Sequence, residues 1–324
     1  MKFRLLLCVL LAMTPISAAA FVALPQQASK PSGAAMVAEV TDGDTLVLSD
    51  NVTVRLVGLQ APKLPLDRPN FKEWPLAKEA RNALEGLVQG RRLTLHPASK
   101  PVDRWGRMLA HLERDDGLWV QGEMLRLGWA RVYTFPDNRT LAADMLALER
   151  QARAAKLGIW GHPFYSIVTP ERAGRVVNTF QLVEGTVMDA AEVKGRVYMN
   201  FGADWKTDFT VLVPARVRKA LARQGMDPAG FKGRTIRVRG WLKDYNGPMI
   251  EMTHPEQLDA GNRAGKEKGR ARALPMIPQS LVRQVDGMRP TRCGSPPTRR
   301  ISALRSLPSA WCSIWRTRSL LMPS

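Results

Sequence analysis

The stretch MVAEVTDGDTLVLSDNVTVRLVG, from Met36 to Gly58, constrains this chain more than any other. Apolar and polar residues alternate in three runs, broken by Asp42-Gly43 and by Ser49-Asp50-Asn51. A period of two puts one set of side chains on one face of a sheet. Asp-Gly supplies the positive-φ backbone that a tight hairpin needs. The stretch therefore predicts three antiparallel strands joined by hairpins.

The segment WPLAKEARNALEGLVQG follows. Pro75 suits a first helical position and Gly90 a stop, with Leu76, Ala80, Ala83 and Leu87 on one face. RRLTLH and RMLAHLE predict two more strands. LWVQGEMLRLG predicts a short helix. A longer helix is predicted in RTLAADMLALERQARAAKLGIW, with Leu141, Met145, Leu148, Ala152 and Ile159 on its stripe. Three strands, a helix, then two strands is the order of an OB barrel. The order recurs later: QLVEGTVMDA, GRVYMNFG and DFTVLV read as strands, PARVRKALARQG as a helix, and RTIRVRGWLKD and PMIEMTH as strands split by Tyr245-Asn246-Gly247. The expected fold is mainly β with α: a five-stranded OB barrel over 34–165, then a smaller OB-like barrel over 178–257. Residues 161–177, with Pro163 and Pro170, are read as the linker and residues 21–33 as a polar lead-in.

The two ends differ from this body. MKFRLLLCVLLAMTPISAAAF has two cations, an apolar run and then small residues, the pattern of a secretory signal cleaved near Ala19 or Ala20. Its apolar run is short for a bilayer span. The expectation is an exported, periplasmic protein with no integral membrane association once the signal is removed. Residues 258–324 are expected to form a disordered basic tail: from 261 onward there are thirteen Lys/Arg against two Asp/Glu, so most of the formal charge of +19 lies there. The body is only mildly basic, which suits a polyanion without demanding one. Cys8, Cys293 and Cys312 all lie outside the two predicted barrels. Neither a disulfide framework nor a thiolate zinc site is therefore expected in them.

One pole of the first predicted barrel gathers polar residues. Asp42 and Asp44 flank the first hairpin turn, Arg55 ends the third strand, Gln60, Ala61 and Lys63 follow in a loop, and Asp103 and Arg107 flank the turn in DRWGR. Carboxylates hold a hard cation through oxygen, and guanidinium forks stabilise charge growing on phosphate. Each piece has an ordinary reading: Asp-Gly-Asp as a plain turn, a lone strand arginine as a solvated face. Their order on this strand pattern is more specific.

Over residues 36–161 the chain resembles the thermonuclease (staphylococcal nuclease-like) family, through VTDGDTLVL, VRLVGLQAPK, DRWGRMLAHL, LGWARVY and AKLGIW. The resemblance implies an OB-type barrel and calcium-dependent cleavage of DNA and RNA. It aligns Asp44 with a metal-ligating aspartate and Asp42 with its neighbour. Arg55 and Arg107 align with the two phosphate-binding arginines. Trp105 falls where the family often has a tyrosine, and Tyr133 near a nucleotide-stacking tyrosine. Gln60 stands at a second metal-ligating aspartate, Ala61 at a threonine, and Lys63 at the glutamate proposed as the base. An ammonium cannot serve as a base at neutral pH without a large fall in its pKa.

Three readings follow: a nuclease with an altered calcium site, in which Asp67 or Glu73 supplies the missing acid; a non-catalytic nucleic-acid or phosphate-binding protein, in which Lys63 takes the cation's place and joins Arg55 and Arg107 in a cradle; and an envelope interaction module. In the second barrel, Tyr198, Phe201, Trp205, Trp241 and Tyr245 are candidates for a stacking surface, or for packing. Arg237 and Arg239, two apart on one strand, are a candidate phosphate-binding stripe.

Overall fold

The alternating stretch forms β1 (Gly33–Asp42), β2 (Thr45–Leu48) and β3 (Thr53–Leu56). These and all later elements are taken from a computed structural model, which describes residues 21–204 and 207–259. Val54 and Leu56 point into the core, so Arg55 faces outward between them. The short strand β4 (Leu59–Gln60) comes next, followed by α1 (Ala77–Val88), β5 (Arg92–Val102) and β6 (Met108–Arg114). Strands β1, β2, β3, β6 and β5 close into a barrel in that order, with β3 and β6 parallel and the other pairs antiparallel. Leu46, Leu56, Leu84, Leu93, Leu112 and Trp119 lie in its core. Beside it run α2 (Val120–Arg126), β7 (Arg131–Val132) and α3 (Ala142–Ala154). Strand β7 pairs with β4, Gln60 opposite Arg131.

Two sequence expectations shift here. Helix α1 begins at Ala77 because Leu76 adopts φ 65°, a left-handed conformation that a helix cannot contain. Its buried face is accordingly Ala77, Ala80, Leu84 and Val88, and Leu76, Ala83 and Leu87 lie at the margin. The polar lead-in is also partly core: Val22 is buried, its carbonyl accepts from the Trp119 backbone N–H at 2.7 Å, and Ala23 bridges Leu118.

The later segment gives β8 (Phe180–Thr186), β9 (Asp189–Val193), β10 (Arg196–Asn200), β11 (Thr210–Val213), α4 (Ala215–Ala222), β12 (Thr235–Asp244), β13 (Pro248–Glu251) and β14 (Leu258–Asp259). The expected first strand is broken at Val187-Met188 into β8 and β9. The sheet has seven strands: β9-β10-β11-β13-β12, with β8 and β14 both on β12 and β11 and β13 parallel, and it wraps round without β8 pairing to β9. This repeats the strand order of the first barrel, including its single parallel pair. Val197, Met199, Phe209, Val211, Ile236 and Ile250 form the core. The expected linker is built of short 3-10 turns, and it is anchored: the Tyr165 hydroxyl donates to the Pro75 carbonyl at 2.5 Å, and Ala173 is buried in the second core. Leu258 and Asp259, expected to begin the disordered tail, instead form β14 against β12; the signal segment, the cysteines, Trp205 and the rest of the basic tail from 260 onward lie outside the described residues. No helix among the described residues is long and apolar enough to cross a membrane.

Both sheets belong to one compact unit. Glu149 of α3 joins them. Its carboxylate is fully buried and accepts from both terminal nitrogens of Arg239 on β12 at 2.7 and 2.8 Å, from Arg153 at 2.8 Å, and from the Val132 backbone N–H at 2.6 Å. Burial would raise the Glu149 carboxyl pKa, but these cations hold it below its ordinary value. Nearby, Arg139 forks onto Glu256 with both bonds at 2.8 Å, and Thr134 pairs with His254 Nε2 at 2.8 Å.

Removing Glu149 strands Arg239 in the interface. Glu149→Ala is expected to cost about 3–5 kcal/mol in chemical denaturation, and a loss under about 1 kcal/mol would contradict this account. Acid acts at a second point. Burial pulls the His111 imidazole down to about 3 and that of His254 down to about 4, from 6.5. The unfolded chain thus takes up these protons before the folded one does, so stability falls as pH drops below 6.5. Thermal melts should show this decline, shallower in His254→Gln. An unchanged melting temperature down to about pH 4.5 would refute it.

Candidate functional site

The hairpin between β1 and β2 presses against the loop after β4. A Cβ on Gly43 would lie 2.7 Å from the Ala61 Cβ, so glycine permits this approach. It places Asp44 against that loop, where its Oδ2 accepts from the Ala61 backbone N–H at 2.9 Å and Thr45 donates to its Oδ1 at 3.1 Å. Arg55 closes the other side: Nη1 lies 2.8 Å from Asp44 Oδ2, and the guanidinium also donates to the carbonyls of Asp44 and Leu59. Lys63 fills the gap between the two aspartates. Its ammonium donates to Asp42 Oδ2 at 2.9 Å and to Asp44 Oδ1 at 2.6 Å, and also touches Asp44 Oδ2. Asp42 receives further bonds from the backbone N–H groups of Gly43 and Leu64.

Both carboxylates are buried, while Lys63 and Arg55 are only slightly exposed. Burial would raise Asp44, but Arg55 and Lys63 together bring it below its ordinary value. Burial, followed by the neighbouring Asp44 charge, raises Asp42 despite Lys63. Two carboxylates thus face two cations, and the cluster balances itself.

Calcium takes six to eight oxygens, and this donor set does not fit it. Asp42 and Asp44 are held by an ammonium and a guanidinium. The Gln60 side-chain oxygen accepts from Arg131 Nε at 2.9 Å. Among the described residues no group of three or more His, Cys, Asp or Glu side chains is arranged to hold a metal. Of the two candidate replacement acids, Glu73 pairs with Lys78 at 3.4 Å and Asp67 is exposed at a left-handed position.

The remaining candidates lie elsewhere. Arg107 is on the β5–β6 hairpin, forked onto Asp103, whose other oxygen accepts from the Trp105 and Arg107 backbone N–H groups. Burial would raise Asp103, but those bonds and the Arg107 charge together hold it below its ordinary value. Trp105 stands exposed at the tip, with the Arg104 and Arg107 guanidinium carbons 4.2 and 5.0 Å from its ring centre. Tyr133 is half-buried, edge-on to Phe135 and Phe180, and its hydroxyl accepts from Trp241 Nε1 at 2.9 Å. Arg237 and Arg239 share a face as alternation requires, but that face is not an open phosphate stripe. Arg239 is buried on Glu149, and Arg237 is bonded to Glu184 and Asp259. A face on the outside of one barrel became an interior once the other barrel packed on it.

Comparison with known proteins agrees with this architecture. A family model described as staphylococcal nuclease homologue matches residues 53–162. An uncharacterized endonuclease of Escherichia coli O157:H7 is 32% identical over 38% of this chain and 74% of its own length. The chain belongs to the staphylococcal nuclease family. A thermonuclease of Staphylococcus intermedius is 28% identical over 39% of this chain and 74% of its own. A probable staphylococcal-like nuclease of Oryza sativa subsp. japonica is 33% identical over 35% of this chain, but the match spans 30% of that protein's length. The matched region holds Arg55, Gln60, Lys63, Trp105, Arg107 and Tyr133, while Asp42 and Asp44 precede the family-model match and β8–β14 follow it.

Two functional-looking features escaped the sequence reading. Glu149 lies four residues after Met145 on the apolar stripe of α3, and an acid at such a position signals a buried partner. The Trp241–Tyr133 contact has no sequence signal, because its partners come from different barrels.

If Lys63 balances the buried aspartates, millimolar calcium and EDTA should leave the melting temperature of the wild-type protein unchanged. Lys63→Ala should destabilise it by about 3–5 kcal/mol, and added calcium should recover part of that loss. A calcium-dependent rise in the wild type would overturn this.

Proposed function

We propose that this member of the staphylococcal nuclease family is an exported protein that binds DNA or RNA through its phosphodiester backbone without calcium-assisted cleavage. The observation that carries this reading is the Lys63 ammonium between Asp42 and Asp44. In a nuclease site a base must take a proton from water. Lys63 stands at the position the resemblance gives to that base, and its protons are directed at the two carboxylates. Arg55 is bonded inward to Asp44 and to carbonyls, so the groups best placed to meet phosphate are Arg104 and Arg107 beside exposed Trp105. Guanidinium forks suit phosphate oxygens, and an indole face suits a base. Export to the periplasm is supported by the residue pattern of the first twenty positions.

Hydrolysis is the second reading. The relatives named as nucleases favour it, as does the presence of both arginines. The full chain, incubated with DNA and with RNA in calcium or in EDTA, separates the two. Intact nucleic acid, bound equally in both conditions and released by salt, supports the binding reading, with Arg107→Ala weakening affinity about tenfold. Calcium-dependent cleavage that Arg107→Ala abolishes would establish the nuclease reading instead.

A further inference from the structure

We infer that the two barrels share one track for single-stranded nucleic acid, and that Trp241 and Tyr245 of the second barrel carry its far half. The inference rests on the nucleic-acid reading above and adds to it a strand type and a site.

A single exposed apolar side chain is ordinary, but exposed aromatics gathered along one surface mark an interaction site. Six aromatic side chains among the described residues are exposed; Phe21 at 46% and Phe164 at 53% lie apart, and the other four are Trp105 at 65%, Phe135 at 47%, Trp241 at 49% and Tyr245 at 68%. A chain of contacts connects the strand that leads to Trp105 with Phe135 and Trp241, and Tyr245 follows four residues after Trp241. The β5 strand that carries the Trp105 hairpin is tied at Lys100 to Asn138, whose side chain exchanges bonds with the Lys100 backbone at 3.0 and 3.3 Å. Asn138 bridges Phe135. Phe135 packs edge-on against Tyr133 with ring centres 4.9 Å apart, and Tyr133 accepts the Trp241 indole N–H.

Strand β12 then carries the row outward. Ile236, Val238 and Leu242 face the second core, so Arg237, Arg239, Trp241 and Lys243 face the other way. Arg239 is locked on Glu149, and two residues later Trp241 emerges from the interface. Lys243 follows about 6.7 Å further along the strand, paired with Glu251 at 3.1 Å. Tyr245 starts the hairpin to β13, its backbone N–H held by the Gly247 carbonyl at 3.0 Å.

The chemistry selects a single strand. Flat aromatic faces interleaved with cations stack unpaired bases while neutralising phosphates, whereas duplex bases are already stacked and present only edges. Arg104, Arg107, Lys100 and Lys243 provide the interleaved cations, the last three beside Asp103, Asp137 and Glu251. Trp105 and Tyr245 occupy the same place in each barrel, the hairpin between the fourth and fifth strands, a loop that OB barrels use for oligonucleotides. A pocket of ≈ 180 Å³, lined by Val57, Pro97, His111, Thr134, Asn138 and Met145, adjoins the row at Asn138.

The test uses the full chain in EDTA and fluorescence anisotropy of a labelled oligothymidylate of about thirty nucleotides, enough for two barrels at about 4–16 nucleotides each. A hairpin duplex is the control. Tyr245→Ala, a change at an exposed side chain, and Trp241→Ala are each expected to weaken single-strand binding about tenfold, with Trp241→Phe restoring most of the loss and the duplex bound more weakly throughout. Unchanged affinity in both alanine variants, with Arg107→Ala still weakening it, would overturn the shared track and leave the nucleic-acid reading standing. Equal or tighter binding of the duplex would overturn the choice of strand. No binding of any oligonucleotide by the folded wild-type protein would remove the reading and the track together.

Discussion

The buried carboxylate of Glu149 is the interaction on which the arrangement depends. It accepts from a helix neighbour, a strand backbone and an arginine of the other barrel at once. A charge with so little water around it is tolerable only with every partner in place. The joint therefore fixes α3, β7 and β12 in one geometry. Through β7 it reaches Gln60, via Arg131, and so the rim of the Lys63 cluster. Through β12 it sets where Trp241 leaves the interface. Breaking one ion pair would loosen both places.

The Lys63 cluster follows the same logic at smaller scale. Two buried aspartates a few ångströms apart repel, and that repulsion must be met by cations. A divalent ion is one solution. Here the chain itself supplies the charge, from Lys63 on one side and Arg55 on the other. Gln60 belongs to this solution, because its amide oxygen serves Arg131, a buried cation that burial pulls down to about 10 and that still carries its charge at neutral pH. A carboxylate in place of Gln60 would pair with Arg131 or compete for Lys63, and the local charge balance would change.

Much of this was legible in the sequence. Alternation in Met36–Gly58 fixes three strands, and Asp-Gly and Tyr-Asn-Gly mark hairpins, because period and turn chemistry are local properties. The repeated order of strands and helix follows from the same signals. The set Asp42, Asp44, Arg55, Lys63, Trp105 and Arg107 could be named from motifs whose spacing survives in the chain. Local reasoning failed where backbone or packing overrode it. A left-handed Leu76 moved the start of α1, and Val22 joined a core that its polar neighbours did not suggest.

What the sequence by itself determined is the strand order and the identity of the charged residues near the first hairpin. What only the tertiary structure decided is who pairs with whom. Arg239 reads as a solvent-facing strand arginine until the other barrel arrives with Glu149. Trp241 and Tyr133 are unrelated residues until a rigid interface brings indole to hydroxyl. The physical reason is range: periodicity and turns act between neighbours along the chain, whereas burial and ion pairing act between surfaces, and two surfaces meet only after both barrels have formed.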